Sequence, residues 1–296
     1  MNNMTAPQYE VATALSQGAR DVQEDSLVTD FPLGPQAGFM VLADGMGGHT
    51  AGEIASTIVV TEMFAELKFK SRELKDNEAQ VPQVLHHAAL SANQCIRGYV
   101  SDHPESYGMG ATLVAPVFIE DRLYWVSVGD SPLYLFRDGK LKQLNEDHSL
   151  APEIDLMVRS GMMTEEQGRN HPDRNCLKSV IFGSEIAKVD CPREPFKVEQ
   201  DDIFVASSDG LQTLTDAEIE AILDDHRTKP SHAIVSALLA AVEKIDDPDQ
   251  DNISISVIKV TSRTPVEVFD STRHIQVAKP RGVSMPTRVL QFVSGR

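Results

Sequence analysis

The hydrophobic and polar positions of the chain change their spacing several times, and the changes separate predicted strands from predicted helices. Near the N-terminus, three short apolar runs are divided by Gly and Pro, which is typical of consecutive antiparallel strands. From Ala51 onward, apolar residues recur every three to five positions, which predicts a helix. A second helix is predicted from Pro82 to Val100, with Cys95 on its apolar face. The three strand-like runs are Tyr9 to Ser16, Ser26 to Thr29, and Phe39 to Ala43.

The rest of the chain repeats this alternation of strands and helices. A hairpin is predicted at Asp138–Gly139, since an Asp-Gly pair between apolar runs favours a tight turn. Residues 147–186 are mixed and polar, which indicates an exposed insertion beside the sheet. Many antiparallel strands and two helix pairs predict an α+β layered sandwich with the helices outside. The remaining predicted elements are strands at Ala111–Phe118, Arg122–Val128, Leu133–Leu144, Ile203–Ala206 and Ile253–Val260, and helices at Asp216–Asp224 and Ser231–Ile245.

Length and composition are those of a globular protein. The chain has 296 residues, of which 41% are hydrophobic, enough for one large or two modest domains with a core. No stretch approaches the run of about 20 apolar residues that spans a bilayer, and the N-terminus does not resemble a signal peptide. We therefore expect a cytoplasmic protein with no membrane association. The three distant cysteines argue against a disulfide framework, a zinc ribbon or a redox motif.

The charge of the chain is strongly negative and unevenly distributed. A formal net charge of −17 disfavours non-specific binding to nucleic acid or to an anionic membrane. Residues 262–296, however, contain six Lys or Arg and only two Asp or Glu. We expect this basic C-terminal extension to be either flexible or docked on the chain itself or on a partner.

Five acidic residues stand at turns in four separate segments: Glu24, Asp25, Asp44, Asp209 and Asp251. Each segment adjoins a hydrophobic run that reads as a strand, so one sheet system could bring the carboxylates together. Clustered carboxylates repel one another unless hard divalent cations lie between them. Oxygen ligands without clustered Cys or His favour Mg²⁺ or Mn²⁺ over Zn²⁺. The sequence therefore predicts a metal enzyme.

The same residues suggest a reaction. Asp44 could bridge two ions, while the carbonyl of Gly45 ligates one of them. Two hard ions about 4 Å apart can deprotonate a bridging water near neutral pH, and the hydroxide can attack phosphorus in line. The guanidinium of Arg20 matches two phosphoryl oxygens. Taken singly, each Asp could instead be an ordinary turn residue, and Arg20 could instead be an ordinary surface residue.

Six segments of the chain, taken together, resemble a known family. The segments are Arg20–Ser26, Leu42–His49, Gly108–Leu113, Val128–Ser131, Ser207–Gly210 and Asp251–Asn252. They follow the order of the motif series of the metal-dependent Ser/Thr protein phosphatases, the PPM or type 2C family, in its bacterial form, over about residues 8–260. The resemblance implies a four-layer α-β-β-α sandwich in a domain of residues 1–261, with two central antiparallel sheets, flanking pairs of antiparallel helices and a two-metal cleft at one edge.

The resemblance also implies metal ligands by position. Asp44, Asp209 and Asp251 would hold one Mn²⁺ or Mg²⁺ ion. Asp44 and the Gly45 carbonyl would hold a second.

Further positions of the motif series carry other implied roles. Glu24 and Asp25 would act largely through bound waters, and Arg20 would bind the substrate phosphate. Asp130 matches the family's aspartate for a third, weaker metal, although a Gly-Asp-Ser turn is its alternative interpretation. Residues 147–186 match the family's flap.

Two positions depart from the family pattern. Met46 stands where some members have a His proposed as general acid, so a metal-bound water or another group such as His49 would have to protonate the leaving group. Helix-start hydrogen bonding is the alternative role for His49. Pro132 stands where the family usually has Arg, which removes a donor near the third-metal side.

The leading hypothesis is an Mg²⁺- or Mn²⁺-dependent phosphatase that hydrolyses phosphoserine and phosphothreonine in proteins. Its partners would be phosphorylated proteins, it would oppose a Ser/Thr protein kinase in bacterial signalling, and it would act as a monomer. One alternative is a catalytically silent module of the same fold that recognises a phosphoprotein or a kinase. The other is a two-metal hydrolase of small phosphoesters. No aromatic or basic groove indicates nucleic-acid binding.

Overall fold

The computed structural model describes residues 7–31, 37–48 and 51–261. Two antiparallel sheets form its centre, as the sequence predicts. The strands are Gln8–Ser16 (β1), Asp25–Asp30 (β2), Ala37–Met46 (β3), Gly110–Ala111 (β4), Leu113–Ile119 (β5), Arg122–Val128 (β6), Leu133–Arg137 (β7), Lys140–Gln143 (β8), Phe196–Lys197 (β9), Ile203–Ser207 (β10) and Ile253–Thr261 (β11). The α-helices are Ala51–Asp76 (α1), Val81–Asp102 (α2), Ala151–Arg159 (α3), Glu165–Arg169 (α4), Asp216–His226 (α5) and Ser231–Ile245 (α6).

Strand order places the segments that carry the acidic residues next to one another. One sheet has the order β1-β11-β10-β7-β8, and the other has the order β2-β3-β5-β6-β9, with β4 paired to β3. Asp25 lies directly opposite Asp44 in the β2–β3 pair. In the other sheet, Ser207 at the end of β10 faces Ile255 near the start of β11. Each sheet therefore brings two of the acidic segments to one end.

Burial of apolar side chains holds four layers together. Helices α1 and α2 cover one sheet, where Met63 and Leu85 are fully buried. Helices α5 and α6 cover the other sheet through residues such as Leu238. Between the sheets, the rings of Phe118 and Phe204 pack edge to face with centroids 5.2 Å apart. The arrangement is the α-β-β-α sandwich that the sequence predicts.

The segment at residues 147–186 is mostly exposed and contains α3 and α4. A capping box starts α4: the Gln167 N–H donates to the Thr164 hydroxyl at 3.2 Å, and the Thr164 N–H donates to Gln167 Oε1 at 3.0 Å. Ile154 anchors α3 by burial.

Two predictions about local structure are wrong. The first three strands do not form one antiparallel unit, because β1 pairs with β11 in the other sheet, Tyr9 facing Val260. Cys95 is exposed instead of buried in the core. The α2 face that packs on the sheet passes through Ala92 and Ile96, so Cys95 is rotated toward solvent.

None of the helices among the described residues has the length and hydropathy that a membrane span requires. The predictions for residues 262–296 and for His49 lie outside the described residues.

Candidate metal centre

The predicted acidic residues converge where the two sheets meet. Asp25 opens β2, and Asp44 lies near the end of β3. Asp209 follows β10 as the first residue of a short 3-10 helix, Asp209–Thr213, and Asp251 lies two residues before β11. Because β2 and β3 belong to one sheet and β10 and β11 to the other, the cluster spans the edge of the sandwich.

A hydrogen bond between the sheets fixes the buried carboxylate of Asp25. The Ser208 hydroxyl donates to Asp25 Oδ2 at 2.7 Å, and the Ser254 N–H donates to the Ser208 oxygen at 2.9 Å. Asp25 is only 5% exposed, and its Oδ1 has no hydrogen-bond partner among the described residues. One oxygen of this carboxylate is therefore anchored, and the other is left without a partner.

Asn252 ties the loop before β2 to the start of β11. Its Nδ2 donates to the carbonyls of Gln17 and Val22 at 2.8 and 3.0 Å, and its Oδ1 accepts the Glu24 N–H at 2.7 Å. The structure shows that the backbone it holds is more than 200 residues away along the chain, in the segment that carries Glu24 and Asp25.

The backbone of Asp44 is held by a Thr-Ser pair that sequence reasoning missed. The Asp44 N–H donates to Thr112 Oγ1 at 3.0 Å, and the Thr112 N–H donates to the Asp44 carbonyl at 2.8 Å. The hydroxyls of Thr112 and Ser131 lie 2.7 Å apart. This chain of contacts couples the end of β3 to the turn that contains Asp130. The sequence did contain a signal for this pair, because Thr112 and Ser131 lie inside two of the six motif segments.

Gly45 has no room for a side chain. A Cβ at this position would overlap the carbonyl oxygen of Gly52 in the first turn of α1 and would stand 2.6 Å from the Glu24 carbonyl. The Gly45 N–H donates to that Glu24 carbonyl at 3.1 Å. The end of β3, the first turn of α1 and the Glu24 loop therefore pack tightly around the site.

The electrostatics of the cluster disfavour full ionisation. Burial raises the pKa of Asp44 well above its usual range, and the negative charges of Asp25, Asp209, Asp130 and Asp251 raise it further. Burial is also the main reason that the pKa of Asp25 rises to about 7, that of Asp130 to about 8 and that of Asp209 to about 6. Such mutual shifts show that the carboxylates lie within electrostatic range of one another.

This donor set fits hard cations. Several buried carboxylates share one site, and Glu24 Oε1 and Asp25 Oδ1 are buried without hydrogen-bond partners in the described part of the chain. Burial raises the pKa of Glu24 as well. Cations and the water molecules bound to them would remove the repulsion and satisfy these oxygens. Within residues 7–31, 37–48 and 51–261, no three Asp, Glu, His or Cys side chains stand together in metal-ligand geometry.

Arg20 reaches the cluster at its exposed rim. It lies in the loop between β1 and β2, and its Nη2 contacts Asp251 Oδ2 at 2.7 Å. Both side chains are partly exposed, so the guanidinium is accessible from outside. The structure therefore places Arg20 beside the acidic site, with a carboxylate as its partner.

Asp130 is buried in the turn between β6 and β7, and its pKa is raised by Asp209 and Asp147 in addition to burial. His148 supports this turn: its N–H donates to the Gly129 carbonyl at 3.0 Å, and its Nδ1 accepts the Gly129 N–H at 3.3 Å. Burial lowers the pKa of His148, which favours the neutral ring that can accept. The sequence predicts an exposed insertion at residues 147–186, whereas the structure buries His148 beneath the turn.

A family comparison agrees with this geometry. The sequence model of the family described as "Protein phosphatase 2C" matches residues 19–245. That range contains Arg20 and four of the five clustered acidic residues first singled out.

Two bacterial relatives show the same similarity. The chain is 31% identical over 228 residues to "Serine/threonine protein phosphatase PstP" of Mycobacterium tuberculosis, which covers 76% of this chain and 40% of that protein. It is 34% identical over 197 residues to "Serine/threonine phosphatase stp" of Listeria innocua, covering 66% of this chain and 75% of that protein. The chain therefore spans about two fifths of the length of PstP.

Solved structures agree in fold. The catalytic domain of PstP "in complex with 2 Manganese ions" is 28% identical, with a TM-score of 0.67 over 86% of this chain and all of that one. The serine/threonine phosphatase of S. agalactiae gives a TM-score of 0.67 at 26% identity, over 84% of this chain and 98% of that one.

Proposed function

The chain belongs to the protein phosphatase 2C family, and from this premise we propose that it is a metal-dependent protein serine/threonine phosphatase. The observation that carries the proposal is the cluster of Asp25, Asp44, Asp130 and Asp209, which are buried or half-buried and whose carboxyl pKa values are all raised. The two manganese ions named for the PstP catalytic domain support a binuclear site. The names of the relatives support phosphoserine and phosphothreonine in proteins as substrates.

The ligands would come from both sheets. Asp44, Asp209 and Asp251 would hold one ion, and Asp44 with the Gly45 carbonyl would hold the second. Asp44 suits the shared position because the negative charges of four other Asp residues, from both sheets and the Asp130 turn, all raise its pKa. When bound there, Mn²⁺ or Mg²⁺ would supply hydroxide as a nucleophile for the substrate phosphorus at neutral pH.

Glu24 and Asp25 support the site from the β2 side. Each has a buried oxygen without a partner among the described residues, which suits hydrogen bonding to ordered water. Ser208 holds the other oxygen of Asp25, so the carboxylate keeps one orientation.

Arg20 receives the substrate phosphate. Its contact with Asp251 keeps the guanidinium at the rim of the cluster, where the exposed fork can take two phosphoryl oxygens. The acidic residues behind it would repel a phosphate that arrived without this positive charge.

Asp130 would hold a third, weaker ion. Its burial beside Asp209 and Asp147 supports this role over that of a simple turn, because a turn residue on the surface would keep its usual pKa. The flap at residues 147–186 follows that turn and β7–β8 along the chain, and Asp147 at its start acts on the pKa of Asp130. A ligand at Asp130 could therefore influence the flap.

The partners are phosphorylated proteins, which an opposing Ser/Thr kinase would supply. We propose that residues 1–261 form the phosphatase domain and act as a monomer in bacterial cytoplasmic signalling.

A catalytically silent module is disfavoured, because a binding protein has no need to retain a set of buried carboxylates that repel one another. A hydrolase of small phosphoesters is the second candidate.

The test is hydrolysis of a phosphothreonine peptide with and without Mn²⁺. We expect turnover with Mn²⁺, no turnover in EDTA, and a loss of at least about a hundredfold in Asp209→Asn. Asp138→Asn is the matched control, because Asp138–Gly139 has the same Asp-Gly sequence but forms the β7–β8 hairpin. Full activity in EDTA would contradict the proposal. Faster turnover of free nucleotides than of the peptide would favour the small-substrate hydrolase.

A further inference from the structure

Two exposed apolar side chains lie beside the acidic cluster, and the reaction proposed above uses neither. Met46 is 40% exposed and Phe182 is 41% exposed. Met46 comes two residues after Asp44 in β3, so the alternation of a strand places both side chains on the same face. Phe182 belongs to the C-terminal part of the flap. We refer to these two residues as the apolar rim.

Strand pairing places Phe182 next to Met46. Met46 is the register partner of Gly110 in β4, and directly opposed residues of an antiparallel pair point to the same face. A Cβ on Gly110 would stand 3.1 Å from the Cβ of Phe182 and 3.0 Å from the carbonyl oxygen of Ile181. Phe182 therefore lies across Gly110 from Met46, on the same face of these paired segments.

Helix α2 holds the backbone of Phe182 in place. The buried Asn93 accepts the N–H groups of Phe182 and Gly183 at 3.1 and 2.8 Å, and its Nδ2 donates to the Ser184 carbonyl at 2.6 Å. One turn later, Arg97 Nε donates to the Gly183 carbonyl at 2.5 Å. These four hydrogen bonds fix the chain from Phe182 to Ser184 against the helix.

The residue before Phe182 is tied to the central sheet. Ile181 exchanges two backbone hydrogen bonds with Ala111, at 2.9 and 3.0 Å, and its side chain is fully buried. Phe182 is thus anchored on both sides while a large part of its ring faces solvent. A fixed, exposed aromatic ring has little conformational entropy to lose on binding, which is typical of contact residues at interfaces.

We propose that the apolar rim contacts an apolar side chain of the substrate, next to the phosphorylated residue. This inference rests on the proposed function and adds a substrate preference to it. Met46 lies two strand residues from Asp44, about 7 Å along the chain. An extended peptide advances by about the same distance in two residues, so the contact falls one or two positions from the phosphoresidue.

Charge alone would favour a different substrate. The cluster of acidic residues, in a chain of net charge −17, would attract peptides with Lys or Arg beside the phosphoresidue. The apolar rim predicts Leu or Phe at those positions instead. The two preferences are separable, because peptides with Leu and with Lys at the same position test them against each other.

The experiment compares kcat/KM of the full chain, with Mn²⁺, on phosphothreonine peptides that differ only at the two residues on either side of the phosphoresidue. Each position carries Leu, Ala, Lys or Glu in turn, and p-nitrophenyl phosphate serves as a substrate without flanking residues. We expect Leu to exceed Ala by about tenfold at one position, mainly through KM. In Phe182→Ala this ratio should fall to about one, with p-nitrophenyl phosphate hydrolysis unchanged.

Two variants serve as controls. Phe182→Leu keeps an apolar side chain and should retain most of the preference, while Met162→Ala removes another exposed apolar side chain of the flap and should leave it unchanged. The proposed contact of the apolar rim with the substrate would be contradicted by any of three results. These are a preference for Lys, equal kcat/KM for all peptides, or an equal loss of activity on every substrate in Phe182→Ala. No Mn²⁺-dependent turnover of any substrate would instead overturn the proposed function, and the inference with it.

Discussion

At the scale of single residues, the site is built from side chains that hold backbone as much as from those that hold charge. Asn252 links two segments more than 200 residues apart, and Ser208 links the two sheets through Asp25. The acidic residues could be found from the sequence because Asp-Gly and Glu-Asp pairs stand at strand ends. The hydrogen bond from Ser208 to Asp25 could not be predicted, since nothing in the local sequence connects residue 208 with residue 25.

Loss of the Asn252 amide should destabilise the fold. Asn252→Ala removes three hydrogen bonds in a buried position and leaves the Gln17 and Val22 carbonyls without this donor. We expect a loss of about 2–4 kcal/mol in the free energy of unfolding, measured by urea denaturation in EDTA. The control is Asp225→Ala at an exposed position of α5, which should change stability by less than about 0.5 kcal/mol. A similar effect of both substitutions would contradict the role assigned to Asn252.

Removing one charge from the cluster should have opposite effects on stability and on metal binding. Asp25 is buried beside Asp209 and Asp251, so Asp25→Asn relieves repulsion in the metal-free protein. We expect the free energy of unfolding in EDTA to rise by about 1 kcal/mol. The increase in melting temperature on adding Mn²⁺ should become smaller than in the wild type. If Asp25→Asn lowers stability in EDTA, the carboxylates do not repel one another as described.

At the scale of elements, strands could be predicted where one face of the strand is buried and the strand pairs with its neighbour in the sequence. The sequence placed β6 at Arg122–Val128 and α6 at Ser231–Ile245, as observed. It gave β1 the wrong neighbours in the sheet, because the pairing of Tyr9 with Val260 depends on contacts between opposite ends of the chain. It also misjudged Cys95, since Ile96 one position further completes the buried face of α2.

The connection between α2 and the flap gives a prediction at this scale. Asn93→Ala leaves the N–H groups of Phe182 and Gly183 without their acceptor. We expect a loss of about 1–3 kcal/mol in stability and faster amide hydrogen exchange at residues 181–184. Asn93→Asp keeps the acceptor oxygen and should protect these amides better than Ala does. Unchanged exchange in Asn93→Ala would show that the segment is held by other contacts.

At the scale of the whole molecule, the sandwich brings strand ends from two sheets to one edge. Each sheet contributes acidic residues that would be ordinary turn residues on their own, and apolar contacts such as that of Phe118 with Phe204 hold the two sheets together. The layers could be predicted from hydrophobic periodicity. The coupling of Asp44 to Thr112 and Ser131 could not, because it depends on the close approach of three segments.

The most direct measurement of the central claim is the number of Mn²⁺ ions bound per chain, by isothermal titration calorimetry on protein first stripped with EDTA. The wild type and the hairpin control Asp138→Asn should each bind at least two ions. Asp44→Asn should lose most of the binding, because we propose that this residue contacts both ions. No binding by the wild type, or wild-type binding by Asp44→Asn, would contradict the assignment of the acidic cluster as a two-metal centre.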